Sequence, residues 1–327
     1  MSPRIESVLI ADEIEVQCVE VLEKAGIRVT KKTKLPAAEL IAELKQHDAV
    51  VVRSATKASS LLPSPITRAV IEGAVGRLRV IGRAGTGVDN IDVEAATEHG
   101  IVVMNTPSGN SRSAAELTSS LILALCRHVP QAAASMKAGR WDRKAYMGSE
   151  ANGKTLAIIG LGRIGQIVAQ HMAAFGMTIV GHDPLVSAEK AAEFGVKVAA
   201  VGGDFITVHV PLIPQTKNLI GKETLPKMKK GVRIVNVARG GIVDEDALLE
   251  ALQSGQCGGA AVDVFVEEPP TQRGLVDHPL VIATPHLGAS TLEAQERVAV
   301  EIAENIAALS QGKPLVGALN SKAWKTE

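Results

Sequence analysis

Three separated stretches carry residues able to hold a carboxylate and move a proton: NVARGGIVDE with Arg239, DVFVEEPP with Glu268 and TPHLGAS with His286. A guanidinium grips a carboxylate through two parallel N–H···O bonds and so fixes the plane of the neighbouring carbon. An imidazole exchanges protons near neutral pH, and a carboxylate on its other ring nitrogen sets the tautomer and stabilises the imidazolium. The set suits hydride transfer to or from an α-hydroxy acid, with Arg239 on the acid, His286 as acid and base, and Glu268 behind it. Adjacent Glu267 offers an alternative carboxylate. His47, His99, His128, His171, His182, His209 and His278 lack a companion motif and are read as surface or core residues.

A second pattern, TLAIIGLGRIGQIVAQHMAAFGMTIVGHD, holds the order strand, glycine turn, helix, strand and terminal acid that dinucleotide binding needs. Gly160 permits the tight turn out of the strand, Gly162 lets a pyrophosphate approach the backbone, and Gly165 lets the helix pack closely on the sheet. The phosphates then meet unpaired N–H groups at the helix N-terminus. Asp183, 18 residues after Gly165, can accept hydrogen bonds from an adenosine ribose diol. A 2′-phosphate would face that negative charge with no Arg in Pro184, Leu185 or Val186, so NAD is expected over NADP.

Those residues need strands and helices to hold them. Apolar runs at 8–10, 49–52, 78–82 and 101–104 precede the glycine turn, and runs at 178–181, 205–210, 232–237, 260–264 and 281–283 follow its strand. Their alternation with helical patterns predicts βαβ units and parallel sheets. The glycine turn normally marks the first strand of a dinucleotide fold, yet it comes near mid-chain, so another α/β unit must precede it. Ser113 and Glu116 have capping-box spacing, and Leu117, Leu121, Ala124 and Leu125 form a stripe, which predicts one long joining helix ending before Pro130. A second long helix at 292–310 is read as crossing back, making the first domain discontinuous: 1–107 with 294–327, around 108–293. Substrate is expected to meet cofactor in the cleft at the carboxyl ends of the strands.

The 327 residues predict about two domains. Hydrophobic residues make up 46% but aromatics only 2%, so the cores must be built from Val, Ile, Leu and Ala, as in buried parallel strands. Lys plus Arg and Asp plus Glu both count 35, leaving no bulk field to attract nucleic acid or an anionic membrane. Cys18, Cys126 and Cys257 show no CxxC spacing, so neither a disulfide framework nor a metal site is expected. Nothing resembles a signal peptide or a membrane span, and a cytoplasmic location is the expectation.

VVRSATK (51–57), GRAGTGVDNID (82–92), NTPSGNSRSAAE (105–116), GLGRIG, ARGGIVDE, DVFVEEPP and PHLGAST occur in this order over residues 5–320. On these motifs the chain resembles the D-isomer-specific 2-hydroxyacid dehydrogenases, and most closely their phosphoglycerate-oxidising branch of serine biosynthesis. The resemblance implies two doubly wound parallel-sheet domains, a Rossmann NAD-binding domain inserted into a flavodoxin-like substrate domain. It implies catalysis by Arg239, Glu268 and His286, and NAD contacts from Thr86, Gly160, Gly162, Arg163, Ile164, Gly165, Asp183, Ala238, Asp263, His286 and Gly288. It further implies substrate contacts from Arg53, Ser54, Arg83, Gly85 and Arg239, with Arg143 reaching over from the facing subunit of a homodimer formed through the nucleotide-binding domain, since WDRKAYMG matches the family's dimer-side loop. Converging guanidinium groups suit a dianionic phosphate. Asp89 and Asn90 are read as turn formers.

Two departures stand out. AAVGGD replaces a longer family segment before Phe205 and would border the adenosine side, putting NAD affinity there in question; the connection 59–73 is longer than usual. Many relatives continue beyond the position of Asn320 into regulatory domains, so serine feedback is not expected. The alternatives are a glyoxylate or hydroxypyruvate reductase, and an NAD-sensing binding protein like the corepressors that share this fold.

Overall fold

The computed structural model describes residues 4–53, 66–198 and 202–324. Ser54, most of the connection 59–73 and part of AAVGGD therefore lie outside the described residues. The chain divides into two units, Met1–Asn110 with Ala289–Glu327, and Ser111–Gly288.

In the first unit, strands β1 (Ser7–Ile10), β2 (Arg28–Lys31), β3 (Ala49–Val52), β4 (Val80–Arg83) and β5 (Val102–Met104) form a sheet of order β2-β1-β3-β4-β5. Every pair is parallel. This is the flavodoxin-like order. Successive side chains point to opposite faces, so Val8 and Ile10 enter one core while Leu9 enters the other. Helix Leu292–Ser310, with the bounds its sequence pattern predicts, supplies Val298, Ile302 and Ile306 to the first of these cores. Gly82 permits its close approach, because a Cβ there would lie 3.0 Å from Ile302.

The second unit holds β6 (Thr155–Ile159), β7 (Thr178–His182), β8 (Lys197–Val198), β9 (Phe205–Val208), β10 (Val232–Asn236), β11 (Cys257–Val262) and β12 (Val281–Ala283). Their order, β12-β11-β10-β9-β6-β7-β8, is the Rossmann arrangement with one added edge strand, again all parallel. Helices Ser111–Arg127 and Arg163–Ala174 cover one face through Leu121, Ile122, Val168 and Met172. Helix Glu245–Gln253 covers the other through Leu248 and Leu252.

The two units share a device at the amino ends of their strands. Asp48, just before β3, accepts hydrogen bonds from the N–H groups of Glu6 and Ser7 and from Arg77. Asp204, just before β9, accepts from the N–H of Thr155 and from Lys229. Hydrogen bonding to the ionised form holds both carboxyls below their ordinary value against the opposing effect of burial.

The joining helix departs from the sequence expectation. Ser113 lies inside helix Ser111–Arg127 and is buried, so it is not an N-cap. His128, at φ 52°, breaks the helix, and Pro130 stands in the first turn of the next one, Val129–Lys137, where a missing N–H costs nothing. Strands β2 and β8 were also not expected: they are edge strands, and only half-buried or exposed side chains mark them.

Candidate active site

The glycine turn leaves β6 with its three glycines under different constraints. Gly160 has φ 97°, and a Cβ there would lie 2.5 Å from the carbonyl oxygen of His209. A Cβ on Gly165 would lie 2.1 Å from the oxygen of Gly160, so helix Arg163–Ala174 can pack only as it does with hydrogen at that position. Gly162 meets nothing within 4 Å. It stands at the N-cap of a helix that no side chain caps. Open space before amide groups at a helix N-terminus fits a pyrophosphate. Arg163 is exposed there, and Ile164 packs against the core.

Asp183 follows β7 and is half-buried. Its Oδ2 accepts from the N–H of Leu161, in the glycine turn, at 2.8 Å, and its Oδ1 from the N–H of Leu185 at 2.9 Å. The carboxylate thus fastens the turn to β7. Each oxygen keeps further acceptor capacity for a ribose diol.

At the far side of the second sheet, the ends of β10, β11 and β12 build the acid–base group. Asn236, at the end of β10, accepts from Ala238 N–H and donates to the Arg239 carbonyl, shaping the turn that carries Arg239. Arg239 is half-buried, and its Nη1 donates to the Ala238 oxygen at 2.6 Å. A Cβ on Gly240 would lie 2.0 Å from the carbonyl carbon of Phe265, so this turn presses directly on the backbone beyond β11.

Asp263, immediately after β11, is fully buried. It accepts from Thr284 Oγ1 at 2.6 Å, Leu287 N–H at 2.7 Å and Gly288 N–H at 2.9 Å. Its carbonyl accepts from His286 N–H. Burial pushes the Asp263 carboxyl up, opposed by these hydrogen bonds and by His286. His286 has φ 56°, a left-handed backbone uncommon outside glycine and costing of order 1 kcal/mol. The contacts of Asp263 on both sides of that residue hold the conformation.

The imidazole Nδ1 of His286 lies 2.9 Å from Glu268 Oε2, and Glu268 Oε1 accepts from Phe265 N–H at 3.1 Å. Glu267 instead accepts from Thr271, which decides between the two candidate carboxylates. With Nδ1 donating to Glu268, Nε2 is the basic nitrogen of the neutral ring. The arrangement can take a proton from a hydroxyl and return it to a carbonyl oxygen.

In the first unit, Arg53 and Arg83 stand at the carboxyl ends of neighbouring strands β3 and β4, where Val52 pairs with Arg83. Arg83 is 9% exposed. Its Nη1 would lie 2.4 Å from a Cβ on Gly85, whose φ is 143°, so glycine makes room for the guanidinium. Arg53 Nη1 donates to the Glu13 carbonyl and lies 3.5 Å from Glu15. Burial pushes the half-buried Asp12 carboxyl up, and both arginines oppose this. Asn90, in a turn as expected, donates to the Arg53 carbonyl. Thr86 donates to Asn110 at 2.6 Å.

Arg143 lies in the second unit on an exposed segment with Trp141, 74% exposed, and Met147, 80% exposed. Among the described residues no group of His, Cys, Asp and Glu could hold a metal. All three cysteines are free and buried, and no described helix is long and apolar enough to cross a membrane.

Sequence reasoning read His209 as an ordinary core residue and did not foresee its effect on stability. It follows β9, its carbonyl touches Gly160, and burial pushes its imidazole down to about 4. The unfolded chain titrates near 6.5, so it takes up a proton that the folded chain refuses as pH falls through the window from about 6.5 to 4. Stability is therefore lost toward acid, by roughly 2 kcal/mol at pH 5 relative to pH 7 from this group. Urea unfolding at the two pH values should show His209→Gln losing less stability than the parent; equal losses would exclude this group as the source.

The site and both sheets define a class. The family model described as "D-isomer specific 2-hydroxyacid dehydrogenase, NAD binding domain" matches residues 119–288, and the chain belongs to this family. Its relatives include D-3-phosphoglycerate dehydrogenase of Rattus norvegicus, 55% identical over 324 residues, which cover 98% of this chain and 59% of that protein. The enzyme of the same name from Bacillus subtilis is 48% identical over 319 residues, 96% of this chain and 58% of the relative. The chain thus spans somewhat under two thirds of the length of these curated relatives. Among solved structures, a glyoxylate reductase from Paecilomyes thermophila superposes with a TM-score of 0.86 at 30% identity, covering 97% of this chain and 99% of its own.

Proposed function

We propose that the chain oxidises D-3-phosphoglycerate to 3-phosphohydroxypyruvate with NAD, the entry step of the phosphorylated route to serine. Its main support is the hydrogen bond between Glu268 and His286, set in a chain 55% identical to a D-3-phosphoglycerate dehydrogenase. NAD, when bound, supplies the acceptor for the hydrogen on the substrate's C2.

Gly162 and the amide groups after it hold the pyrophosphate, Asp183 the adenosine ribose, and Ala238, Asp263 and Gly288, with Thr86, Arg163 and Ile164, complete the cofactor contacts. Arg239 grips the substrate carboxylate and thereby orients C2. His286 Nε2 removes the hydroxyl proton, and Glu268 stabilises the imidazolium that results. In the reverse direction the protonated ring returns the proton to the keto oxygen. Arg53, Arg83 and Gly85 hold the phosphate, with Arg143 of a second subunit. Phosphate binding energy then serves to orient the distant hydroxyl. The exposed Trp141 and Met147 support a homodimer through this segment of the second unit. The protein is read as cytoplasmic.

The test is NADH formation with D-3-phosphoglycerate beside unphosphorylated D-glycerate, with NADP as the control cofactor. Activity confined to NAD and the phosphorylated acid is expected. Preference for the unphosphorylated acid would move the protein toward the glyoxylate reductase type. Arg83→Ala should lower kcat/KM for the phosphorylated acid by about 10- to 100-fold, the worth of one or two charge-assisted hydrogen bonds. An unchanged kcat/KM would remove Arg83 from the phosphate site.

A further inference from the structure

The peptide joining Phe265 and Val266 is a junction. The Arg239 turn presses on it at Gly240, with a built Cβ 2.0 Å from Phe265 C and 2.5 Å from Val266 N. The Phe265 N–H donates to Glu268 Oε1, whose partner oxygen bonds His286. The next N–H, of Val266, donates to Glu245 Oε1 at 2.7 Å. Glu245 is the first residue of helix Glu245–Gln253, which Asp244 caps by accepting from Ala247 N–H. Two carboxylates therefore hold successive amides of one backbone arm, and one of them backs the imidazole.

We propose that Glu245 is a positioning residue for proton exchange at His286, fixing the arm that carries Glu268 and adding a second negative charge behind the imidazole. This rests on the reading of His286 as acid and base. The charges around Glu245 are Asp244 and Asp246 on its own helix and Glu268 on the arm, and His286 also faces Asp263. Burial pushes the Glu245 carboxyl up, the Val266 amide pulls it down, and the three neighbouring carboxylates add to the rise. A helix start needs only its cap, and Asp244 already provides that. A partly buried acid at the next position, spent on a backbone amide near another acid, serves the arm rather than the helix.

Glu245→Gln keeps an oxygen to accept the Val266 N–H but removes the charge, whereas Glu245→Ala removes both. The measurements are the pH profile of kcat for D-3-phosphoglycerate oxidation and, in the ligand-free protein, the NMR titration of the His286 ring, assigned with His286→Asn. One negative charge fewer makes the imidazolium easier to deprotonate, so in Glu245→Gln both the rising limb and the NMR midpoint should move about half a unit to lower pH, with plateau kcat within about threefold. In Glu245→Ala the plateau should fall about tenfold as the arm loosens. A limb and midpoint in Glu245→Gln that coincide with the parent, even with Glu245→Ala impaired, would reduce Glu245 to a purely structural contact and overturn the proposal. An inactive parent chain would instead count against the function, while the NMR midpoint would still decide the role of Glu245.

Discussion

Replacing His286 with Asn should lower kcat by a factor on the order of 10²–10⁴ while leaving the protein folded and able to bind NAD. Asn is the suitable replacement because it tolerates the left-handed backbone of this residue, at φ 56°, better than Ala does. The Asp263 contacts to the N–H groups of residues 286–288 involve backbone and survive the change. What disappears is the only ring that Glu268 orients. The parent's oxidation rate should rise with pH as the imidazole is freed, and the variant's profile should be flat over that limb, measured by initial rates under saturating substrate. A variant within tenfold of the parent would assign the proton to another group. Glu268→Gln should have a milder effect, because its amide oxygen can still accept from Nδ1–H but no longer stabilises the imidazolium.

The glycine turn allows folding and cofactor binding to be separated. Gly162→Ala places its methyl group in open space on a backbone at φ −71°, so thermal unfolding should be close to that of the parent. The methyl occupies the room read as the pyrophosphate approach, and loss of one or two amide–phosphate bonds should weaken NAD by roughly 10- to 100-fold. Gly165→Ala drives its methyl into the carbonyl oxygen of Gly160, only 2.1 Å away. The helix must shift off β6, at a cost of about 1–3 kcal/mol, so both Tm and NAD affinity should fall. Calorimetry and titration of NAD on both variants test this. Parental NAD affinity in Gly162→Ala would place the phosphates elsewhere.

Much of the fold was legible because parallel strands buried on both faces are uninterrupted apolar runs, and β3 and β12 lie where such runs predict. Edge strands β2 and β8 carry exposed positions and left no such mark. The helix break at His128 was hidden because Pro130 reads equally as a stop and as a first-turn residue. In the site, the glycine spacing and the motifs at Arg239, Glu268 and His286 were readable as types. The choice between Glu267 and Glu268 was not, since adjacent carboxylates are alike until a backbone turns one of them toward the ring.

Composition, strand order signals and the three motifs thus fix the α/β class, the dinucleotide turn and the residue kinds available for chemistry, because these depend on local pattern and on chemical type. Asp263 shows what lies beyond them. Its sequence position beside a strand end is compatible with a cofactor contact, yet its buried carboxylate is bound to Thr284, Leu287 and Gly288, 21 to 25 residues away. Glu245 likewise meets Val266 across 21 residues, and Gly240 meets Phe265 through space alone. Such contacts exist only after β10, β11 and β12 lie side by side, which is why tertiary structure decides the orientation of His286 and the charge that surrounds it.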